Sequence, residues 1–144
     1  MNIVNMTADH VEAVAELERL CFRDPWSENS IASELNNQLA LWLVAEENGR
    51  VAGYIGSQTV PDESDVMNVA VHPDFRRRGI AQALVMALCD ALKKQGSVSL
   101  TLEVRASNEP AKALYEKLGF EQVGRRPNYY RNPKEDAYIL RKML

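Results

Sequence analysis

The sequence predicts an α/β (α+β) fold, and two observations carry the prediction. Residues 66–71 form an apolar strand pattern that precedes a long amphipathic helix and then a second strand, so these two strands should be parallel with a right-handed crossover. The dipeptide Asn48-Gly49 separates two further apolar runs, and its tolerance of positive φ is the strongest short-range signal for an antiparallel hairpin. A chain with both kinds of pairing indicates a mixed sheet.

The N-terminal elements are a short strand and two helices. Strand β1 is expected over residues 3–6, and Thr7 suits the N-cap of helix α1. The helix should end before Pro25, because proline disfavours continuation. Ser27 can cap a shorter helix, α2, that extends to Leu35. Apolar residues at helical spacing define the buried face of α1: Val11, Val14, Leu17, Leu20 and Cys21.

Three strands and the longest helix occupy the middle of the chain. Strands β2 and β3, over residues 41–46 and 51–60, flank the Asn48-Gly49 turn, and residues 61–64 turn the chain into strand β4 over 66–71. Helix α3 is expected from Gly79 to about Gln95, with Gly96 as its C-terminal stop. Its apolar face contains Ile80, Leu84, Ala87, Leu88, Ala91 and Leu92.

The C-terminal part alternates strand, helix and strand. Apolar and polar residues alternate over 98–104, which predicts strand β5 with one apolar and one polar face. Asn108-Glu109-Pro110 opens helix α4, since asparagine is a good N-cap and proline is tolerated in the first turn, and Gly119 ends it. Strands β6 and β7 follow over 120–125 and 137–142. The predicted order is β1-α1-α2-β2-β3-β4-α3-β5-α4-β6-β7.

Length and composition describe an ordinary globular chain. Its 144 residues fit one domain, 1–144, and 46% hydrophobic with 26% charged residues is typical of a water-soluble protein. The longest apolar run, residues 39–45, is too short to cross a membrane, and the N-terminus lacks a secretory pattern. We therefore expect a cytoplasmic monomer that binds no membrane. A net charge of −3 argues mildly against direct nucleic-acid binding and mildly for a basic ligand.

The cysteines and histidines exclude several classes of site. Cys21 and Cys89 are far apart and have neither a CxxC nor a zinc-ligand spacing, which favours reduced, buried, structural thiols. His10 and His72 are the only histidines, so a His-rich metal site is not possible and no metal is expected. No G-x-S-x-G motif occurs, and neither cysteine has a recognisable histidine partner.

The turn between β4 and α3 is the most informative segment. Arg76, Arg77 and Arg78 precede Gly79 at the start of a helix, where unpaired N–H groups and the helix dipole favour an anion. Backbone amides and cationic side chains should converge there on a phosphate or diphosphate. An arginine cluster in a turn is more commonly a solvated surface, and the usual nucleotide motifs are missing, so this pattern alone leaves the ligand open.

Two motifs in order resemble the Gcn5-related N-acetyltransferase family. Residues 76–81 are similar to its Q/R-x-x-G-x-G/A motif, with Ala81 where glycine is frequent, and residues 108–120 resemble its second signature. The resemblance covers essentially the whole chain. It implies a mixed seven-stranded sheet flanked by four helices, with β4 and β5 splayed apart, and acetyl-CoA as cosubstrate. The implied cofactor-binding residues are Val69, Ala70, Val71, Arg76, Arg77, Arg78, Gly79, Ile80, Ala81, Gln82, Asn108 and Tyr115.

Two residues are candidates for the chemistry of acetyl transfer. Glu103, on the polar side of β5, is the candidate proton acceptor; a solvated carboxylate or an ion-pair partner is the alternative. Tyr115 is the candidate proton donor to the leaving thiolate, in the position of the catalytic tyrosine of the family. If Gly119 adopts the left-handed conformation, Tyr115 and Phe120 also occupy the contact positions of a Schellman cap, and both roles can coexist. Direct transfer in a ternary complex is favoured over an acetyl-cysteine intermediate.

Within that family, the chain most resembles members that acetylate the N-terminal alanine of a ribosomal protein. The likeness lies in the residue 21–27 corner, the 68–71 strand, residues 103–105 and the paired tyrosines. It implies a basic N-terminal peptide of a small-subunit ribosomal protein as the acceptor. Phe22, Trp26, Tyr129 and Tyr130 would wall its groove, although filling the core is the more common fate of residues such as Phe22 and Trp26. A small amine, a lysine side chain, or a noncatalytic acyl-CoA module remain as alternatives.

Overall fold

The computed structural model describes residues 1–144 and contains the predicted elements in the predicted order. The chain contains four α-helices and seven strands. The helices are α1 Val11–Cys21, α2 Glu28–Ser33, α3 Ile80–Lys94 and α4 Glu109–Lys117. The strands are β1 Asn2–Asn5, β2 Ala40–Glu47, β3 Arg50–Val60, β4 Glu63–Val71, β5 Ser99–Arg105, β6 Glu121–Tyr130 and β7 Glu135–Met143.

One mixed sheet contains all seven strands, in the order β1-β2-β3-β4-β5-β7-β6. Its pairs are antiparallel except β4 with β5, which is parallel, as the strand–helix–strand pattern predicts. The chain exchanges the last two strands in space, so that β7 lies beside β5 and β6 forms the sheet edge. None of the helices combines the length and the apolar composition needed to span a bilayer.

Hydrophobic packing covers both faces of the sheet. Strand β2 shows the alternation: Trp42 and Val44 face a cluster that contains residues of α1 and α2, whereas Leu43 and Ala45 face a cluster that contains residues of α3. Successive side chains of a strand point to opposite faces, which explains why this run is apolar throughout. The sheet is therefore a central layer between two helical layers, and α4 contributes Tyr115 to the α3 side.

The predicted caps at Ser27 and Asn108 occur with the expected hydrogen bonds, whereas Thr7 precedes a 3-10 turn and the N-cap of α1 itself is His10. Ser27 Oγ accepts the N–H of Ser30 at 3.1 Å at the start of α2, and Asn108 Oδ1 accepts the N–H of Ala111 at 3.2 Å at the start of α4. Thr7 forms a capping box with His10 at a 3-10 turn that leads into α1. The bonds at Ser27 and Asn108 place the starts of α2 and α4 as the residue pattern indicates.

Several predicted boundaries and faces are wrong. Helix α2 ends at Ser33 and continues as a 3-10 turn to Asn36, and β4 already begins at Glu63. Strand β6 extends to Tyr130, so the tyrosine pair lies in a strand instead of the connecting loop. The polar face of β5 is not solvated: Ser99 and Thr101 are buried, because this central strand is covered on both faces. Both cysteines are half-buried, not fully buried.

Candidate active site

The parallel strands β4 and β5 separate to form the main cleft. Only the start of each strand is paired: Glu63–Asp65 of β4 pair with Ser99–Thr101 of β5. Beyond Asp65, Gly56 pairs with Asn68 and Ser57 pairs with Val66, which leaves Met67 as an extra residue in β4. Such a bulge bends and twists a strand, and here it accompanies the loss of pairing with β5. The resulting cleft has a volume of about 570 Å³.

Many of the predicted site residues line this cleft. They come from β4, β5, α4, β6, the first turn of α3 and the loop between α1 and α2, so the fold brings together positions that are distant in sequence. They are Phe22, Trp26, Val69, Ala70, Val71, Ala81, Glu103, Asn108, Tyr115, Tyr129 and Tyr130. A second cleft of about 560 Å³, which His10, Arg50 and His72 help to line, contains none of the predicted site residues.

The main chain at the start of α3 has the features of an anion site. The first hydrogen bond of the helix runs from Ala83 N–H to Gly79 O at 3.0 Å, so the N–H groups of the three preceding residues have no acceptor in the helix. Gly79 has φ +73°, and a Cβ built on it would meet nothing within 4 Å. The backbone is therefore open to close approach by a ligand, and Ala81 connects this turn to the cleft.

The arginine side chains of the turn do not converge as the sequence suggests. Arg76 Nε donates to Val71 O at 3.3 Å, on the strand that it follows. Arg78 lies 3.8 Å from Glu47 and stacks over the Phe75 ring at 5.3 Å. Interactions within the protein thus occupy two of the three guanidinium groups, and the convergent donors of the turn are main-chain N–H groups.

Three other predicted cofactor-binding residues lie near the start of α3 but outside the main cleft. Ile80 is buried in the core beneath the sheet, so only its N–H faces the helix start. Gln82 lies in the first turn of α3, where its Oε1 accepts a hydrogen bond from Lys117 Nζ at 3.3 Å. Arg77 has φ +64°, an unusual conformation for a residue with a side chain. None of the three lines the main cleft.

Glu103 lies on β5 with its side chain 27% exposed and directed at the cleft. Arg126 Nε, on the edge strand β6, lies 3.9 Å from its Oε1, which is a long ion pair. Both an ion-pair partner and a reactive carboxylate are therefore compatible with its position. Burial, followed by the negative charge of Glu103, raises the pKa of Tyr130 to about 12, and both residues line the cleft.

Tyr115 combines a buried ring with a hydroxyl at the cleft. The residue is 6% exposed, and burial alone raises the pKa of its hydroxyl to about 12. Gly119 has φ +97°, and the hydrogen bonds Phe120 N to Tyr115 O and Gly119 N to Glu116 O complete a Schellman motif. The expected cap therefore exists, and it leaves the hydroxyl free for a second role.

Two aromatic pairs form opposite parts of the cleft wall. Phe22 and Trp26 are half-buried in the α1–α2 loop, and Trp26 packs edge-on against Trp42 with ring centroids 5.4 Å apart. They thus belong to the core and to the cleft at once. On the other side, Tyr129 and Tyr130 pack edge to face at 5.1 Å. Neither Cys21 nor Cys89 lines the cleft.

Arg105 supports the tyrosine wall. Its guanidinium stacks over the Tyr130 ring at 4.4 Å and donates to Pro133 O at 3.0 Å and Arg131 O at 3.2 Å, both in the β6–β7 loop. It also lies 3.3 Å from Glu135, whose second oxygen accepts the N–H of Ser107. The sequence motif contains Arg105 but does not indicate this role, which depends on a loop 26 to 30 residues away.

Glu18 is a site-supporting residue that the sequence analysis does not identify. It lies on α1 and is fully buried, although it carries a carboxyl group. The sequence feature that could have identified Glu18 is its spacing. It follows Val11 by seven residues and Val14 by four, and it therefore falls on the apolar face of the helix. Charged residues are almost never fully buried unless they are paired, so such a position indicates a hydrogen-bonded network.

The chain belongs to the acetyltransferase (GNAT) family, whose sequence profile matches residues 11–120. The fold described above, with seven strands, four helices and splayed central strands, is the one that the resemblance implies. Acetyltransferases of this family use acetyl-CoA as the acetyl donor.

Similar proteins are found among curated sequences and among solved structures. The ribosomal protein bS18-alanine N-acetyltransferase of Escherichia coli (strain K12) is 40% identical over 140 residues, which covers 96% of this chain and 94% of the relative. The crystal structure of the ribosomal-protein-S18-alanine N-acetyltransferase from Escherichia coli has a TM-score of 0.91 at 38% identity and covers 99% of this chain and 92% of its own. The crystal structure of the NatC complex bound to Gag peptide and CoA contains a chain with a TM-score of 0.84 at 25% identity. The match covers 100% of this chain and 99% of that chain.

Proposed function

We propose that this protein transfers the acetyl group of acetyl-CoA directly to the α-amino group of a protein N-terminus, namely the N-terminal alanine of a small-subunit ribosomal protein. The observation that carries the proposal is the single cleft that contains Glu103, Tyr115, the free edge of β4 and the start of α3. Two relatives that cover most of the chain are named for acetylation of the alanine of ribosomal protein bS18 or S18. A ribosomal substrate would place the reaction in the cytoplasm.

The residues along β4 and α3 suit acetyl-CoA. Over Val69–Val71, β4 pairs with β3 on one side, whereas its other edge faces the cleft because pairing with β5 ends at Asp65. An extended pantetheine arm can add to such an edge through main-chain hydrogen bonds. The N–H groups at the start of α3 suit the diphosphate, and Asn108 and Ala81 lie beside the same cleft. When bound, acetyl-CoA supplies the activated thioester.

Glu103 is proposed to accept the proton of the attacking amine. An α-amino group has a pKa of about 7.7–8.0, so a carboxylate, directly or through one water, has to remove only a weakly held proton. A lysine amine, with a pKa of about 10.4, would require about 3–4 kcal/mol more at the same pH. With a carboxylate as the base, this difference in pKa favours an N-terminal amine over a lysine side chain.

Tyr115 is proposed to stabilise the departing thiolate through its hydroxyl. With its pKa raised to about 12, the hydroxyl is protonated at neutral pH. Complete proton transfer to a thiolate of ordinary pKa, about 8.5, would be uphill by roughly 3.5 units, or about 5 kcal/mol. A hydrogen bond to the developing charge avoids this cost. Tyr115 therefore donates a hydrogen bond and keeps its proton, and the thiolate takes its proton from solvent.

The acceptor peptide is proposed to lie between the two aromatic pairs. Phe22 and Trp26 line one side of the cleft and Tyr129 and Tyr130 line another, with Glu103 among them. Two carboxylates, Asp24 and Glu103, and three arginines, Arg23, Arg105 and Arg131, also line the cleft, and the carboxylates suit a cationic N-terminus. The chain is proposed to recognise a basic N-terminal peptide, with no contact to nucleic acid.

The test is a mass-spectrometric assay with acetyl-CoA and matched acceptors. One peptide begins with alanine, is rich in basic residues and has a free N-terminus, and its control has the same sequence with that N-terminus already blocked. Polyamines form a third set. We expect one acetyl group to be added to the free peptide only. Acetylation of the blocked peptide would indicate a lysine acetyltransferase, modification of polyamines alone would indicate a small-amine enzyme, and binding of acetyl-CoA without transfer would indicate a noncatalytic module.

A further inference from the structure

The buried carboxyl group of Glu18 joins three separate elements. Its Oε1 accepts the main-chain N–H of Trp26 at 2.8 Å, in the α1–α2 loop. Its Oε2 accepts the side-chain amide of Asn68 at 2.6 Å, on β4, and also the hydroxyl of Tyr54 on β3. All three partners are donors, so Glu18 fits the site as an ionised carboxylate, which only accepts hydrogen bonds.

The Tyr54 contact supports the same assignment. Tyr54 is fully buried, and burial followed by the hydrogen bond to Glu18 raises its pKa well above the ordinary value. It is therefore a phenol that donates to the carboxylate. No lysine, arginine or histidine lies within ion-pair distance of Glu18, so three neutral donors alone stabilise the buried charge.

The bond to Trp26 is the main attachment of the loop at the cleft wall. Phe22 N–H bonds to Glu18 O at the end of α1, and the next main-chain bond of this region, Ile31 N–H to Ser27 O, belongs to α2. Between these two bonds, Trp26 N–H to Glu18 Oε1 is the hydrogen bond that ties the main chain of residues 23–26 to the rest of the protein. Glu18 thus fixes the main chain of the loop at Trp26, while the side chains of Phe22 and Trp26 pack against the core.

The other oxygen of Glu18 bonds to β4, which lines the same cleft. Asn68 follows the bulge residue Met67 on β4, and its Oδ1 accepts the N–H of Val69 at 3.2 Å while its amide donates to Glu18. The carboxylate therefore spans from the loop that would hold the peptide to the strand that would hold the cosubstrate. Folding alone does not require this arrangement, because a buried charge is a weak source of stability compared with a packed apolar side chain.

We propose that Glu18 is a positioning residue that fixes one wall of the acceptor-peptide groove by holding the Phe22–Trp26 loop against β4. The proposal rests on the proposed function, because it assigns the loop to the acceptor. Loss of the carboxylate should release the loop, weaken peptide binding and leave acetyl-CoA binding unchanged.

The test compares Glu18→Gln and Glu18→Asp with two controls. Glutamine replaces two acceptor oxygens with one, so it cannot serve all three donors, and aspartate keeps the charge but withdraws it from the loop by one methylene. Tyr54→Phe removes a donor from the β3 side and keeps the Trp26 bond, and Glu12→Gln makes the same charge change at an exposed position of the same helix. Circular dichroism and thermal melting identify the folded variants.

The expected result is a separation of the kinetic constants. Both Glu18 variants should raise the KM for an alanine-starting peptide by about fivefold or more, with the KM for acetyl-CoA unchanged within about twofold. Tyr54→Phe should lower the melting temperature and leave the peptide KM unchanged. Glu12→Gln should also leave the peptide KM unchanged. A wild-type peptide KM in both Glu18 variants, or an equal rise in Tyr54→Phe, would overturn the proposal.

Tryptophan fluorescence supplies a readout that needs no activity. The chain has two tryptophans, of which Trp42 is 4% exposed and Trp26 is half-buried in the loop. Quenching by acrylamide therefore reports mainly on Trp26, and it should increase in both Glu18 variants but not in Glu12→Gln. If the wild type acetylates no peptide, the proposed function fails, whereas unchanged quenching in the Glu18 variants contradicts the loop attachment itself.

Discussion

The main-chain carbonyl of Tyr115 accepts the N–H of Phe120 at 2.9 Å, and the two rings pack edge to face with centroids 5.4 Å apart. Together with the Gly119 N–H to Glu116 O bond, this closes helix α4 in a Schellman motif. The cap uses the main chain and the ring of Tyr115, not its hydroxyl. Structural and chemical roles of one residue therefore reside in different atoms, which makes them separable by substitution.

The substitution Tyr115→Phe removes the hydroxyl and retains the cap. We expect a melting temperature close to that of the wild type and a kcat at least about tenfold lower, because the developing thiolate loses its donor. Thermal melting and steady-state kinetics on the same preparation measure both quantities. Phe120→Leu is the complementary control, since it weakens the ring contact and should lower the melting temperature. Wild-type turnover in Tyr115→Phe would exclude the donor role.

Glu103 and Arg126 provide a matched pair for the proton acceptor. If the 3.9 Å ion pair is the only role of Glu103, Glu103→Gln and Arg126→Gln remove the same contact and should have equal effects. If Glu103 is the base, Glu103→Gln lowers kcat by about 10²-fold or more, whereas Arg126→Gln keeps most of the turnover. The residual rate of Glu103→Gln should rise towards pH 8, as the amine, of pKa about 7.7–8.0, loses its proton unaided. Kinetics of both variants between pH 6 and 9 distinguish an ion-pair role of Glu103 from a role as the base.

Gly79 and Gly96 have the same backbone conformation in different surroundings. Both have positive φ, +73° and +95°, and a Cβ on either would meet nothing within 4 Å. Alanine should therefore cost a similar amount of stability at each position, about 1 kcal/mol. Only Gly79→Ala places a methyl group beside the proposed diphosphate site, and we expect it to raise the Kd of acetyl-CoA by about tenfold. Calorimetric titration of both variants measures this difference, and an equal Kd would argue against the site.

Asp136 gives the β6–β7 hairpin a predictable response to acid. The N–H of Asn128, at 2.7 Å, and the guanidinium of Arg125 bond to its carboxylate and lower its pKa below the ordinary value of 3.8. A lowered pKa means that the stabilisation is present above about pH 4 and is lost as the pH falls through the folded-state pKa. In urea unfolding, the wild type should exceed Asp136→Asn in stability at pH 6, and the difference should shrink at pH 3. A constant difference would contradict the assignment.

The sequence by itself predicts the elements and their order because those signals are local. The Asn48-Gly49 turn, the caps at Ser27 and Asn108, and the glycine stops at 96 and 119 act within a few residues, and each occurs in the structure. The start of α3 is equally local, since its free N–H groups follow from where a helix begins. Recognition of the family motifs depends on two such short segments in order, residues 76–81 and residues 108–120.

The tertiary structure alone decides which distant groups meet. The sheet order places β7 between β5 and β6, which brings Arg126 to Glu103 and buries the polar face that β5 shows in sequence. The same long-range packing directs Arg76 and Arg78 to other partners and surrounds Glu18 with three donors from different elements. A residue pattern records the faces of a helix or strand, whereas the partner of each face depends on contacts between residues far apart in the chain.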